Sequence, residues 1–205
     1  YEKDETALLM DAIMDKTKHV AVQMAPAVRV AIGEAFDMKP GEIVTGKIYA
    51  ALRRLGVDAV FDTNFSAALT IIEEARELIH RIEPGGVMPI LTSCCPARVK
   101  FFEHQFPDLL DIPSSCKSPQ IMHGSITKTY FAEKMNLKPS ELKTVSIMPC
   151  VAKKAEAARP ELSHDHLQDV DYVLSTRELG HMIKEAGIEF DNLPESNFDN
   201  LLGES

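Results

Sequence analysis

The residues most able to carry out chemistry are four cysteines and one lysine. Cys94 and Cys95 are adjacent within the tetrapeptide 93–96 (SCCP), Cys116 follows two serines, and Cys150 lies three residues before Lys153. Thiolates are the usual ligands of iron–sulfur clusters. Four cysteines in a cytosolic chain of 205 residues argue against a disulfide framework. The pattern therefore indicates metal binding or catalysis, with burial as small apolar side chains as the alternative.

The chain alternates short apolar runs with longer amphipathic stretches. Runs that are short and apolar almost throughout are typical of strands buried on both faces of a sheet. They cover residues 19–24, 59–61, 88–91, 145–148 and 170–174. Helical periodicity covers residues 28–36, 46–55, 67–82, 97–106, 118–135 and 176–186. This alternation predicts an α/β fold in which helices flank a mostly parallel β-sheet.

Chemically unusual segments follow three of the predicted strands directly. Pro26 and Ala27 follow the first strand, the SCCP segment follows the third, and Cys150 with Lys153 follows the fourth. Because ligands of open parallel sheets bind outside the carboxyl ends of the strands, we expect these residues to meet at one edge of the sheet. Adjacent cysteines point in opposite directions, so the two thiols of SCCP are expected to have different roles.

Composition and charge exclude several classes of protein. The net charge is -9 and no stretch concentrates lysine and arginine, which argues against a nucleic-acid partner. No apolar run approaches the roughly 20 residues that span a bilayer, and the acidic beginning of the chain lacks the pattern of a signal peptide. We therefore expect a cytoplasmic protein with no membrane partner. Residues 1–187 are predicted to form the α/β domain, and residues 188–205, which have weak periodicity, an incomplete or disordered C-terminal segment.

Two segments resemble the signature motifs of the iron-only ([FeFe]) hydrogenases. Residues 91–96 (LTSCCP) are similar to the first H-cluster motif and residues 148–156 (MPCVAKKAE) to the second, while 25–29 and 114–120 also look like that family. The resemblance covers nearly the whole chain and implies one lobe of the catalytic domain. It implies the reversible conversion of protons and electrons to dihydrogen at an H-cluster, which consists of a [4Fe-4S] cluster and a di-iron subcluster. Ferredoxin or an electron-transfer subunit would exchange the electrons.

The resemblance also implies roles for single residues. Cys95 and Cys150 would be two of the four thiolate ligands of the [4Fe-4S] cluster. Cys94 would exchange protons with the bridging dithiolate amine of the di-iron subcluster, and Lys153 would contact a cyanide ligand on iron. The residues implied to line the pocket around the diatomic ligands are Pro26, Ala27, Pro119, Gln120 and Met148.

In the same family two glutamates and a serine carry protons from the first-motif cysteine to the surface. Glu74 and Glu77 are three residues apart on one face of a predicted helix, and Ser114 matches the serine. We call these three residues the proton relay. A solvated acidic helix face is the commoner explanation of such a pair of glutamates, but the resemblance favours the relay.

The chain departs from the family in two respects. The third motif, a CxxxC pair that supplies the remaining thiolates, does not occur after Cys150, so we expect an incomplete fragment that lacks the cluster and is inactive alone. Arg98 stands where the family usually has an aromatic residue, which would change the surroundings of the cluster. Three alternatives are a hydrogenase-like protein of iron–sulfur assembly, a hydrogen-sensing regulatory relative, and an α/β binding module whose cysteines are structural.

Overall fold

A computed structural model describes residues 3–83, 85–163 and 166–202. Within these ranges four strands form one parallel sheet in the order β2-β1-β3-β4. The strands are β1 (His19–Met24), β2 (Ala59–Asp62), β3 (Leu142–Met148) and β4 (Tyr172–Ser175). The predicted α/β fold with a parallel sheet is confirmed, because the runs that became strands are buried on both faces, as helices on either side of a sheet require.

The predicted strand at residues 88–91 is wrong. Only Leu91 of this run makes a strand-like contact, a single parallel bridge to Pro113. Pro89 has no N–H to give to a sheet ladder, and Met88 is 50% exposed. The run is therefore a surface segment, and the SCCP motif follows a loop rather than a strand.

The helices lie between the strands, mostly where periodicity predicts them. Their bounds are α1 Thr6–Met14, α2 Val28–Ala31, α3 Thr45–Leu55, α4 Asn64–Ile82, α5 Pro96–Gln105, α6 Pro119–Ile126, α7 Ala132–Lys134, α8 Ala152–Ala157 and α9 Thr176–Glu185. A 3-10 turn (Ile32–Phe36) extends α2, and a π-helical turn (Thr127–Phe131) joins α6 to α7. Further 3-10 turns are Pro107–Leu109, Pro160–Leu162 and Phe190–Asn192. The sequence predicted neither α1 nor α8, and α8 is only six residues long.

The two faces of the sheet contact separate apolar clusters. Val20, Val22 and Met24 of β1 belong to the larger cluster, which includes side chains of α1, α3 and α9. Ala21 points to the opposite face and packs in a smaller cluster with Phe61. The alternation along one strand fixes the register of the sheet and thereby the position of the loops at its carboxyl edge.

Carboxylates occupy backbone groups at both outer strands of the sheet. On β2, Val60 donates its N–H to Asp199 Oδ2 at 2.8 Å and accepts from the Asp199 N–H at 2.7 Å. On β4, Val173 donates its N–H to Glu5 Oε2 at 2.8 Å. Two residues after Asp199, Leu201 is buried in the smaller cluster. Residues 203–205 of the predicted C-terminal segment lie outside the described residues, and the division of the chain at residue 187 stays a prediction.

None of the helices in the described ranges has the length and apolarity needed to cross a membrane.

Candidate functional site

The carboxyl ends of β1 and β3 bring two of the predicted segments to one edge of the sheet. These strands are direct neighbours, with Met24 opposite Ile147. Pro26 and Ala27 follow β1 and are exposed, while Cys150 follows β3 and is exposed as well. Met148, the last residue of β3, is buried. Pro26, Ala27 and Cys150, which the sequence assigned to one site, therefore follow strands that end at the same edge of the sheet.

The SCCP segment positions its thiols at the start of a helix. Cys95 has an extended backbone and stands immediately before α5, with Pro96 in the first turn, where a missing N–H costs nothing. Cys94 and Cys95 are both exposed free thiols. Arg98, one turn further along α5, is exposed to solvent.

Lys153 connects the two cysteine-bearing loops. Its Nζ donates to the carbonyl oxygen of Cys94 at 2.7 Å and to Glu156 Oε2 at 2.8 Å. Its backbone N–H donates to the carbonyl oxygen of Cys150 at 3.1 Å. The loop of the first motif is thus held against the second motif by a lysine, even though no strand precedes that loop. The side chain of Lys153 is only 14% exposed, so its charge is largely shielded from water.

Glu156 belongs to the site, and the sequence analysis gave it no role. It is buried, and its Oε2 accepts hydrogen bonds from Lys153 Nζ, from Ser118 Oγ at 2.9 Å and from Gln120 Nε2 at 3.2 Å. The spacing of Lys153 and Glu156, three apart on α8, was the available signal, since such pairs face each other on a helix. The carboxylate joins the helix that carries the lysine to the first turn of α6, which begins at Pro119.

Pro119 and Gln120 begin α6 beside these groups. Ser118 is the N-cap of the helix and Pro119 its first residue, an arrangement that suits proline. Gln120 is 1% exposed, and its Oε1 has no hydrogen-bond partner in the part of the chain that the structure describes. Pro119 and Gln120 thus reach the same cluster as Lys153, and the amide oxygen of Gln120 is a buried acceptor available to a bound group.

Glu77 and Ser114 form a direct hydrogen-bonded pair. Ser114 Oγ donates to Glu77 Oε2 at 2.6 Å, and Arg81 donates to Glu77 Oε1 from Nε at 3.1 Å and from Nη2 at 2.6 Å. Partial burial acts to raise the pKa of Glu77, but the hydrogen bonds from Ser114, Arg81 and the Ser115 N–H outweigh it, and the pKa lies below its ordinary value. Glu77 is therefore a carboxylate at neutral pH.

Glu74 is not joined to this pair. It lies one turn before Glu77 on α4 and is half-buried, and its Oε1 has no hydrogen-bond partner among the described residues. Of the three predicted relay residues, the structure brings two into contact. The roles of all three stay predictions.

Thiol donors at the carboxyl edge suit iron, although two thiols do not complete a cluster site. Cys95 and Cys150 are exposed free thiols, and soft thiolates are the usual ligands of an iron–sulfur cluster. Across residues 3–83, 85–163 and 166–202, no three His, Cys, Asp or Glu side chains are arranged to hold a metal ion. The chemistry of the donors fits the implied cluster, and the described residues supply only part of its ligand set.

These observations first define the class: an α/β domain with cysteine-bearing loops at the carboxyl edge of a parallel sheet. The family follows from the comparison with known proteins. Residues 18–205 match the family of the iron-only hydrogenase large subunit, C-terminal domain. The chain belongs to this family, and the resemblance found in its motifs is confirmed.

Relatives and solved structures agree with this membership. The chain is 52% identical over 203 residues to the NADP-reducing hydrogenase subunit HndD of Solidesulfovibrio fructosivorans, covering 96% of this chain and 35% of the relative. It is 49% identical over 192 residues to the periplasmic [Fe] hydrogenase large subunit of Nitratidesulfovibrio vulgaris, covering 93% and 45%. A variant of the apo [FeFe]-hydrogenase HydA1 from Chlamydomonas reinhardtii superposes with a TM-score of 0.93 at 43% identity, covering 99% of this chain and 53% of that one. The chain therefore spans between a third and just over half of these proteins.

A second group of relatives is named for iron–sulfur assembly. The cytosolic iron-sulfur assembly component 3 of Bos taurus is 32% identical over 197 residues, covering 93% of this chain and 41% of the relative. Family membership therefore includes both hydrogenases and assembly proteins, and the choice between them depends on the site.

Proposed function

We propose that this chain forms part of the catalytic domain of an [FeFe] hydrogenase, which reversibly converts two protons and two electrons to dihydrogen. The observation that carries the proposal is the position of Lys153, whose ammonium donates to the carbonyl oxygen of Cys94 while its backbone N–H donates to that of Cys150. A lysine held there places a positive charge against the backbone of the first cysteine motif, where an anionic metal cofactor would need it.

Cys95 and Cys150 would hold one side of the [4Fe-4S] part of the H-cluster. The chain contains four cysteines, and with Cys94 and Cys116 given to other roles, two further thiolates would come from outside these residues. We therefore expect this polypeptide alone to hold no complete H-cluster and to be inactive. When bound, the cofactor would supply the metal centre at which dihydrogen is made or split and through which electrons from the external donor pass.

Lys153 has one hydrogen left to donate to that cofactor. An ammonium has three donors, and two of them are taken by Cys94 O and Glu156 Oε2. The third would bind a cyanide ligand of the di-iron subcluster. Pro26, Ala27, Pro119, Gln120 and Met148 would line the pocket, which would exclude water from the reacting groups.

Proton transfer would begin at the Cys94 thiol and continue through Glu74, Ser114 and Glu77. The pair of Ser114 and Glu77 is ready to pass a proton, because hydroxyl and carboxylate are 2.6 Å apart. Glu74 would join them through a bound water or a change of side-chain conformation.

Electrons would be exchanged with ferredoxin or an electron-transfer subunit, and dihydrogen and protons are the substrates. We place the protein in the cytoplasm because its four cysteines are free thiols, although a periplasmic subunit is among its relatives. Cell fractionation with an antibody to the chain tests the location, and recovery in the periplasm would contradict it.

The test of function uses the complete hydrogenase domain encoded by the parent gene, matured anaerobically with its H-cluster. Evolution of dihydrogen from reduced methyl viologen is measured by gas chromatography, and the cluster by iron content and visible absorption. We expect Cys95→Ser and Cys150→Ser to lower iron content and Cys94→Ala to keep it while turnover is lost. If Cys94→Ala retains turnover, the proton role of Cys94 is wrong. If both serine variants bind as much iron as the parent, the cluster assignment is wrong.

Iron–sulfur assembly is the second candidate function, and the relationship to the assembly component supports it. A domain that binds iron but neither evolves nor consumes dihydrogen in this assay would favour that candidate. The free thiol of Cys94 and the contact of Ser114 with Glu77 favour the hydrogenase, because an assembly protein has no need to move protons to a buried site.

A further inference from the structure

Cys116 is a half-buried thiol that no step of the proposed mechanism uses. Its Sγ lies 3.6 Å from Glu77 Oε2, within range of an S–H···O hydrogen bond. The same carboxylate oxygen accepts from Ser114 Oγ at 2.6 Å. The thiol and the hydroxyl therefore converge on one oxygen of Glu77.

The backbone of Cys116 makes two more contacts with the site. Its N–H donates to Ser114 Oγ at 3.1 Å, and its carbonyl oxygen accepts from Ser93 Oγ at 2.8 Å. Ser93 immediately precedes Cys94. One residue thus contacts the carboxylate of Glu77, the hydroxyl of Ser114 and the segment that carries the first-motif thiols.

These contacts determine which way the Ser114 hydroxyl points. A serine hydroxyl has one hydrogen to donate and lone pairs to accept. Because Ser114 Oγ accepts the Cys116 N–H, its own hydrogen is directed to Glu77 Oε2. Ser114 is 6% exposed, so bulk water competes little for that hydrogen.

We propose that Cys116 is a positioning residue of the proton relay, whose thiol holds Glu77 as an oriented carboxylate and whose backbone ties Ser114 and the Cys94 segment to it. This inference rests on the proposed function, since the relay matters only if the domain moves protons. In physical terms it states that the thiol of Cys116 and the carboxylate of Glu77 are energetically coupled.

The state of the thiol agrees with this role. Burial raises the pKa of Cys116, and the negative charges of Glu77 and Glu74 raise it further, against a lowering by the hydrogen bond with Ser114. Cys116 therefore keeps its hydrogen at neutral pH and can donate it to Glu77. A donated hydrogen bond favours the ionised carboxylate, so its removal makes Glu77 easier to protonate.

The first experiment measures the pKa of Glu77 in the 205-residue chain by NMR of 13C-labelled glutamate side chains, assigned with Glu77→Gln. We expect Cys116→Ala to raise this pKa by about half a unit, since thiols are weak donors, and Cys116→Ser to restore it. Cys94→Ala removes a thiol that has no described contact with Glu77 and should leave it unchanged. An unshifted pKa in Cys116→Ala, or an equal shift in Cys94→Ala, would overturn the inference.

The second experiment reads the same coupling from the thiol, and it needs no substitution of Cys116. Alkylation of Cys116 by iodoacetamide is followed by peptide mass spectrometry across pH 7 to 10. Coupling is reciprocal, so Glu77→Gln should lower the pKa of the thiol and speed alkylation near pH 8 by roughly threefold, the equivalent of about half a unit. Equal rates in the parent chain and in Glu77→Gln would refute the coupling.

Neither measurement needs iron. If the hydrogenase assay fails while both shifts appear, the coupling stands and its assignment to proton transfer is withdrawn together with the proposed function. If the assay succeeds and the shifts are absent, only the role of Cys116 is wrong.

Discussion

Replacing Glu156 with glutamine should loosen the attachment of Lys153 and destabilise the chain. Glutamine keeps the size of the side chain but removes the charge that pairs with Lys153 at 2.8 Å. Losing one partner of a buried ion pair costs about 3–5 kcal/mol. Lys153 is 14% exposed and keeps its hydrogen bond to Cys94 O, so for Glu156→Gln we expect a cost below that range, about 2 kcal/mol.

A double-mutant cycle in urea isolates this ion pair. Lys153→Met removes the other charge, while Glu156 keeps its bonds to Ser118 and Gln120. We expect the free energy of unfolding, measured by circular dichroism at pH 7, to show a coupling between the two substitutions of about 1–2 kcal/mol. A coupling below about 0.5 kcal/mol, the usual error of additivity, would mean that Glu156 does not hold Lys153 and would refute the arrangement described for the site.

Three other predictions concern the fold that carries the site. Burial lowers the pKa of His123 to about 4, below an unfolded value of about 6.5, so the neutral imidazole contributes stability that is lost as the pH falls from 6.5 towards 4. Over that range the free energy of unfolding in urea titrations should fall by up to about 3 kcal/mol more in the parent chain than in His123→Leu. Equal losses in the two would contradict this. A Cβ on Gly124 would lie 2.2 Å from the carbonyl oxygen of Asp169, so Gly124→Ala should lower the free energy of unfolding by about 3 kcal/mol. Gly180→Ala is the control and should change it little, because its new Cβ meets only a side-chain methyl at 3.2 Å. Similar losses in both variants would mean that α6 does not pack tightly against Asp169. Ser175 caps α9 in a capping box, so Ser175→Ala should cost about 1 kcal/mol, and an unchanged midpoint in urea would show that the cap is not formed.

The sheet could be predicted where burial on both faces leaves a continuous apolar run. Residues 19–24 and 59–61 met that condition and are strands, whereas 88–91 has the same apolarity but lies on the surface. Composition alone does not distinguish an apolar surface loop from a buried strand. The short helix α8 was missed because six residues are too few to display helical periodicity.

The two cysteine-bearing loops meet for a reason that the sequence did not indicate. The expectation that the SCCP loop lies beside Cys150 assumed a strand that does not exist, yet Lys153 brings the two loops together. Glu156 and Cys116 were missed for a common reason. The contacts of Glu156 with Ser118 and Gln120 span 38 and 36 residues of sequence, and the contact of Cys116 with Glu77 spans 39. Only the folded chain brings such distant groups together.

The carboxylates on the outer strands bear on how this domain meets other chains. An uncovered strand edge offers free N–H and C=O groups to any extended peptide and invites sheet growth between molecules. Asp199 occupies the groups of Val60 on one side, and Glu5 occupies the N–H of Val173 on the other. The negative charge of a carboxylate also repels the carbonyl oxygens of an approaching strand. At these positions an added strand could pair with the sheet only by displacing a carboxylate, whereas the thiols of Cys94, Cys95 and Cys150 are open to solvent.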